Sequence, residues 1–174
     1  MTYKEALTHS MTYLSSDPRN LFVGYGLRHG RAAGTMKAAP DDQILETPVA
    51  ENLMMGAAIG LSLAGRLPVV FVERADFLLN SMDALVNHLH AMPIISQGEF
   101  NPAVIVRVVI GNSTKPLFTG HTHTQDFTDS VSRMVDFRVM RLETPDQVVA
   151  EFARARRFQL QGHSTVLFER KDLW

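Results

Sequence analysis

Ala103-Val104-Ile105-Val106-Arg107-Val108-Val109-Ile110 is an almost unbroken apolar run, rich in β-branched residues. A strand that faces water on one side alternates apolar and polar residues. A strand with no such alternation has to be covered on both faces, which is the condition of a central strand in a parallel sheet. Other segments repeat the pattern more briefly. Leu21-Phe22-Val23 lies within a predicted strand over 20–25, and Pro68 to Val72, Asp136 to Leu142 and Thr165 to Phe168 read as further strands. Gln43 to Glu46 is a short addition.

Helical patterns fall between these runs. Tyr3, Ala6, Leu7, Met11 and Leu14 recur at helical spacing over residues 3–15. Thr47-Pro48 reads as a cap followed by a first helical residue, for a helix ending at Gly65. Residues 76–95 read as one long helix. Thr144-Pro145-Asp146-Gln147 has the spacing of a capping box, for a helix ending near Gly162. Strands alternating with helices predict an α/β fold, a mostly parallel sheet with helices on both faces in three layers. Ligands in such folds gather at the C-terminal ends of the strands. This directs attention to residues 24–42, 73–77 and 111–126.

The whole chain sets further bounds. Its 174 residues fit a single domain. The formal net charge of −1, with no block of like charges, disfavours nucleic acid or an anionic membrane as a partner. There is no cysteine, which excludes disulfides, thiolate metal sites and cysteine nucleophiles. Met1-Thr2-Tyr3-Lys4-Glu5 does not open a secretory leader, and Leu53 to Ala64 is well short of the ~20 apolar residues of a membrane span. A cytoplasmic protein is expected.

Three residues invite a chemical reading. Glu51 precedes three turns of apolar and small residues. As an acid in a first helical turn it complements the helix dipole. As a carboxyl held against an apolar surface it is able to stay protonated and donate a hydrogen bond. Burial favours the protonated form and the dipole the ionised form, so the sequence leaves the two opposed. Phe77 follows a strand and Arg74-Ala75-Asp76; it reads as core, or as a face for a flat ring. His121 and His123 in Gly120-His121-Thr122-His123-Thr124-Gln125 read as a solvated loop, a zinc pair lacking a third ligand, or a proton-handling histidine. Gly56, Ala57, Gly60 and Ala64 suit close packing, either on the domain's own sheet or on a helix of another subunit. No Walker loop and no G-x-G-x-x-G opens a helix.

Taken in register, these segments resemble the β subunit of the decarboxylating component of 2-oxo acid dehydrogenase complexes, within the transketolase-like thiamine-diphosphate enzymes. The resemblance rests on Glu46-Thr47-Pro48-Val49-Ala50-Glu51, Gly56-Ala57-Ala58-Ile59-Gly60, Arg74-Ala75-Asp76-Phe77 and Met82-Asp83-Ala84-Leu85-Val86-Asn87. It continues through Ser96-Gln97-Gly98-Glu99-Phe100-Asn101, Val104-Ile105-Val106-Arg107, His123-Thr124-Gln125, Thr144-Pro145-Asp146 and Val166-Leu167-Phe168-Glu169.

The resemblance implies the pyrimidine module of a thiamine-diphosphate-binding fold. Glu51 would hydrogen-bond the cofactor's aminopyrimidine and favour the imino tautomer that deprotonates the thiazolium carbon. Phe77 would stack on the pyrimidine. His123 would lie near the substrate, a 2-oxo acid, and handle protons.

The Gly-Asp-Gly…Asn motif that holds the diphosphate and its magnesium ion is missing. It would come from an α-type partner in an α2β2-like hetero-oligomer, with a homodimer expected in isolation. The resemblance assigns this chain itself no metal. The family's usual C-terminal domain is not matched, and Tyr25 follows Gly24 where the family often has glutamate. These departures leave a non-catalytic binding or regulatory subunit as the alternative.

Overall fold

The computed structural model describes residues 1–115 and 120–174. Its centre is a six-stranded, entirely parallel sheet in the order β2-β1-β3-β4-β6-β5. The strands are β1 (Asn20–Gly24), β2 (Ile44–Glu46), β3 (Leu67–Glu73), β4 (Ile105–Ile110), β5 (Arg138–Leu142) and β6 (Thr165–Arg170). Every residue of β4 is buried, as is all of β3 up to Glu73. Alternate residues of these strands feed two cores. Phe22, Val69, Phe71, Ile105, Val109 and Leu167 enter one, while Val23, Val70, Val72, Val106, Val108 and Phe168 enter the other. A strand covered on both faces has no use for polar alternation, and this accounts for the apolar runs in the sequence.

Helices α1 (Tyr3–Ser15) and α6 (Pro145–Leu160) cover the first face. Helix α1 starts at a complete capping box formed by Thr2 and Glu5, and its apolar stripe is buried as the spacing predicts. At α6, Thr144 accepts from the Gln147 N–H, but the Gln147 side chain accepts from Glu143 N–H, so the box is only half formed. Helix α2 (Glu51–Leu63) and the segment after β3 cover the second face.

The first core also holds a buried ion pair. Arg107 lies on the same side of β4 as Ile105 and Val109, and it bonds both carboxylate oxygens of Glu169 on β6. Arg107 Nη2 also donates to Thr35 Oγ1 at 2.8 Å, and the guanidinium carbon sits 4.9 Å from the centre of the Phe71 ring. Thr35 is delivered by a turn in which Arg31, Ala32 and Ala33 all take positive φ.

The structure corrects the sequence reading in three places. Helix α2 starts at Glu51, not Pro48. The Thr47 N–H is committed to Gly24 O at 2.8 Å, so the chain is still following the sheet edge there. The expected long helix over 76–95 is broken. It becomes α3 (Ala75–Leu78), a tight turn at Leu79–Ser81, a widened π turn over Ala84–His90, and α4 (Met92–Ile95), which begins beside Pro93. Proline lacks the N–H that would continue the ladder. The third difference is α5 (Thr128–Ser132), a segment for which the sequence predicts no element. Among the described residues no helix is long and apolar enough to cross a membrane.

Candidate active site

The loops after β1, β3 and β4 converge at the C-terminal edge of the sheet. Between them lies a cavity of about 300 Å3 lined by Tyr25, Glu73, Arg74, Phe77 and His123. The turn after β1 needs Gly24, because a Cβ there would sit 2.9 Å from the Phe71 carbonyl oxygen. The turn carries Tyr25 across the sheet edge, and its hydroxyl donates to the Glu73 carbonyl. Phe77 follows two residues after Ala75 on α3 and stays half-buried, with its ring available to the cavity.

His123 reaches Phe77 on a returning strap. The two rings meet edge to face, 5.0 Å between centres and perpendicular. Two contacts hold the strap. Gly111, just past β4, lies against the His123 carbonyl so closely that a Cβ would come within 1.7 Å of that oxygen. Gln125 Nε2 donates to Asp76 Oδ1 at 2.9 Å, tying the strap to the buried residue beside Phe77. Residues 116–119, part of the 111–126 loop singled out in the sequence, lie outside the described residues. His121 is exposed, and among the described residues no group of three histidines, cysteines or carboxylates is placed to hold a metal.

Glu51 opens α2 and is only 3% exposed. Its Oε2 receives a long contact from Asn80 Nδ2 at 3.5 Å, and its Oε1 is buried with no partner among the described residues. A buried acceptor left without a donor is uncommon, because burial without a hydrogen bond costs free energy. Glu51 does not itself line the cavity. It reaches that space through neighbours: Asn80 belongs to the turn that follows Phe77, and Tyr25 feels the Glu51 charge. Burial first, and the Glu51 carboxylate second, push the Tyr25 hydroxyl above the ordinary phenol range.

Sequence reasoning gave no role to Arg74, Asp76, Asn80 or Gln125. Arg74, Asp76 and Gln125 stand inside quoted motifs, so the signal was present, but their partners are set by folding. The small residues of α2 now have a clear placement. Gly56 and Gly60 are exposed, and a Cβ at either meets nothing within 4 Å, so they do not serve packing on the domain's own sheet.

A family model described as "Transketolase, pyrimidine binding domain" matches residues 1–174. The pyruvate dehydrogenase E1 component subunit beta of Bacillus subtilis is 28% identical over 151 residues, covering 83% of this chain and 46% of that protein. The 2-oxoisovalerate dehydrogenase subunit beta of Pseudomonas aeruginosa is 25% identical over 112 residues, covering 64% of this chain and 31% of that protein. This chain thus spans half or less of the length of these relatives. A solved structure titled "Split gene transketolase, inactive beta4 tetramer" superposes with a TM-score of 0.72 over 97% of this chain and 51% of that one. At 16% identity it speaks for the fold alone. The parallel sheet, the cavity at its C-terminal edge and the family match over the whole chain lead to one assignment: the chain belongs to the transketolase pyrimidine-binding domain family.

Proposed function

We propose that this chain is the β-type subunit of a thiamine-diphosphate enzyme that decarboxylates a 2-oxo acid or transfers a two-carbon unit. The single observation that carries this reading is Oε1 of Glu51, a buried carboxylate oxygen with no donor among the described residues. An aminopyrimidine N–H is the kind of donor that would satisfy it. Phe77 offers an aromatic face at the cavity for a flat heterocycle, and the cavity's volume is at the lower end for a ligand site. When bound, thiamine diphosphate supplies the carbon nucleophile.

The residues of this chain do the rest in this reading. Glu51 hydrogen-bonds the aminopyrimidine, fixed by its place at the head of α2. Phe77 orients the ring and keeps water from one face. His123, held edge-on to Phe77, is placed to accept or return a proton at the substrate side.

The diphosphate and its magnesium ion would be held by an α-type partner. Exposed Leu53 and Leu63, with the open glycines of α2, offer a face on which a second helix could come close. An α2β2-like assembly follows, with a cytoplasmic location as part of the same reading.

A second reading, a non-catalytic subunit, is favoured by Tyr25 standing where the resemblance leads one to expect glutamate. One experiment separates them. The chain is reconstituted with an α-type partner, thiamine diphosphate and magnesium, and Glu51→Gln is compared with the parent. Loss of turnover by ~10²–10⁴-fold with unchanged assembly supports catalysis. Full turnover in the variant sinks it, and assembly without turnover in either chain favours the second reading.

A further inference from the structure

Among the described residues, Arg74 is the one that lines the cavity with a full positive charge at all pH values of interest. Its side chain is only 9% exposed. Nη1 donates to the carboxylate of Glu73, its neighbour in sequence. Its remaining nitrogens, Nε and Nη2, make no hydrogen bond among the described residues. A largely buried guanidinium with unused donors beside an open cavity is a recognition group for an anion, since its planar fork matches a carboxylate or phosphate edge.

The surroundings add positive charge. Lys171 follows β6, its ammonium 3.5 Å from the centre of the Trp174 ring. Burial lowers its pKa to about 8, and the next cause is the positive charge of Arg74, ahead of Lys4 and Arg107. Lys171 therefore lies in the field of Arg74, whereas Arg74 itself is affected first by burial and then by Tyr25 and the Asp76 carboxylate. Neither Lys171 nor Lys4 makes an ion pair among the described residues, and Glu169 is already bonded through both oxygens to Arg107.

We propose that Arg74 sets substrate class, binding a second anionic group at the far end of a 2-oxo acid. This rests on the reading of the cavity as the substrate side of a cofactor site. The carboxylate next to the oxo group is not the one Arg74 should hold. That group loses its charge as it leaves as carbon dioxide, so a guanidinium gripping it would stabilise the ground state more than the transition state. A distal carboxylate keeps its charge throughout, and holding it orients the skeleton without opposing the reaction. Pyruvate and 2-oxoisovalerate, named in the relatives, have no such group.

The test uses the full chain labelled with ¹⁵N-arginine. The Arg74 Nε–H signal, identified by its loss in Arg74→Gln, is followed as 2-oxoglutarate or pyruvate is added at constant ionic strength. We expect 2-oxoglutarate to bind at least about tenfold tighter than pyruvate. Arg74→Gln should remove that preference when binding is followed by ligand signals. Glu73→Gln, which removes the competing carboxylate, should strengthen it several-fold. Equal binding of the two anions, no response to either, or a preference that survives Arg74→Gln would overturn the proposal. Should Arg74→Gln fail to fold, the Glu73→Gln chain decides: an unchanged preference there is also fatal. Glu51→Gln should leave the preference intact. A cofactor role for Glu51 and an anion role for Arg74 therefore fail separately.

Discussion

Glu169 and Glu51 are both buried acids, yet the protein treats them in opposite ways. Glu169 has no exposure at all, and both of its oxygens are bonded by Arg107. Glu51 is 3% exposed, has one long contact to Asn80, and keeps one oxygen bare. Asp76 stands between them: Oδ1 accepts from Gln125, while Oδ2 is buried with no partner among the described residues. A buried acid with its partners in place joins strands. A buried acid without them is a vacancy for a donor from outside the chain, and the bare oxygens cluster at one edge of the sheet. The comparison teaches which of the buried acids to look to for chemistry.

Breaking the satisfied pair should have the largest effect on stability. Arg107→Ala leaves Glu169 alone in the core, and we expect a loss of about 3–5 kcal/mol in urea unfolding. Replacing both partners by apolar residues of similar volume should recover most of it; a double variant as unstable as the single one would show that the pair is not the cause.

Gln125→Ala tests the middle case. It removes the donor from Asp76 and frees the strap, so about 1–3 kcal/mol should be lost. The ring-current shift that Phe77 imposes on the His123 imidazole should fall with it in a proton spectrum. A stable variant with that shift intact would mean the strap is held elsewhere.

Glu51→Gln should change folding stability by less than about 1 kcal/mol, because no strong internal bond is broken. A large drop in the midpoint of thermal unfolding would make Glu51 a second structural acid and erase the contrast.

The smallest effect concerns pH. Lys171 has a folded pKa of about 8, below its ordinary value of 10.5. Between these values the unfolded chain binds more protons, so stability should rise as pH climbs from about 8 toward 10. The gain is small because the side chain is partly exposed. Lys171→Met should flatten that slope, and an unchanged slope would place the titrating group elsewhere.

Part of this was legible in local sequence. The runs at 103–110 and 68–72 could belong only to covered strands, and the stripe of α1 could bury only one face. Both are short-range patterns, and the structure follows them. The broken helix after β3 was not legible, because apolar spacing at 82–92 looks the same whether a turn is regular or widened. The start of α2 was misplaced for a related reason. Thr47 suits a helix cap, but its N–H was taken by Gly24, a partner more than twenty residues away.

The candidate site divides in the same way. Glu51, Phe77 and His123 stand out by motif, and the structure brings Phe77 and His123 into contact. The tie from Gln125 to Asp76, the bare oxygen of Glu51 and the free donors of Arg74 could not be read from the chain. Each depends on which groups are left without a partner once distant loops close over one another. Sequence by itself determined the layers, since apolar periodicity is a property of neighbours along the chain. Only the tertiary structure decided which charges are satisfied, because hydrogen-bond partners and burial are properties of neighbours in space.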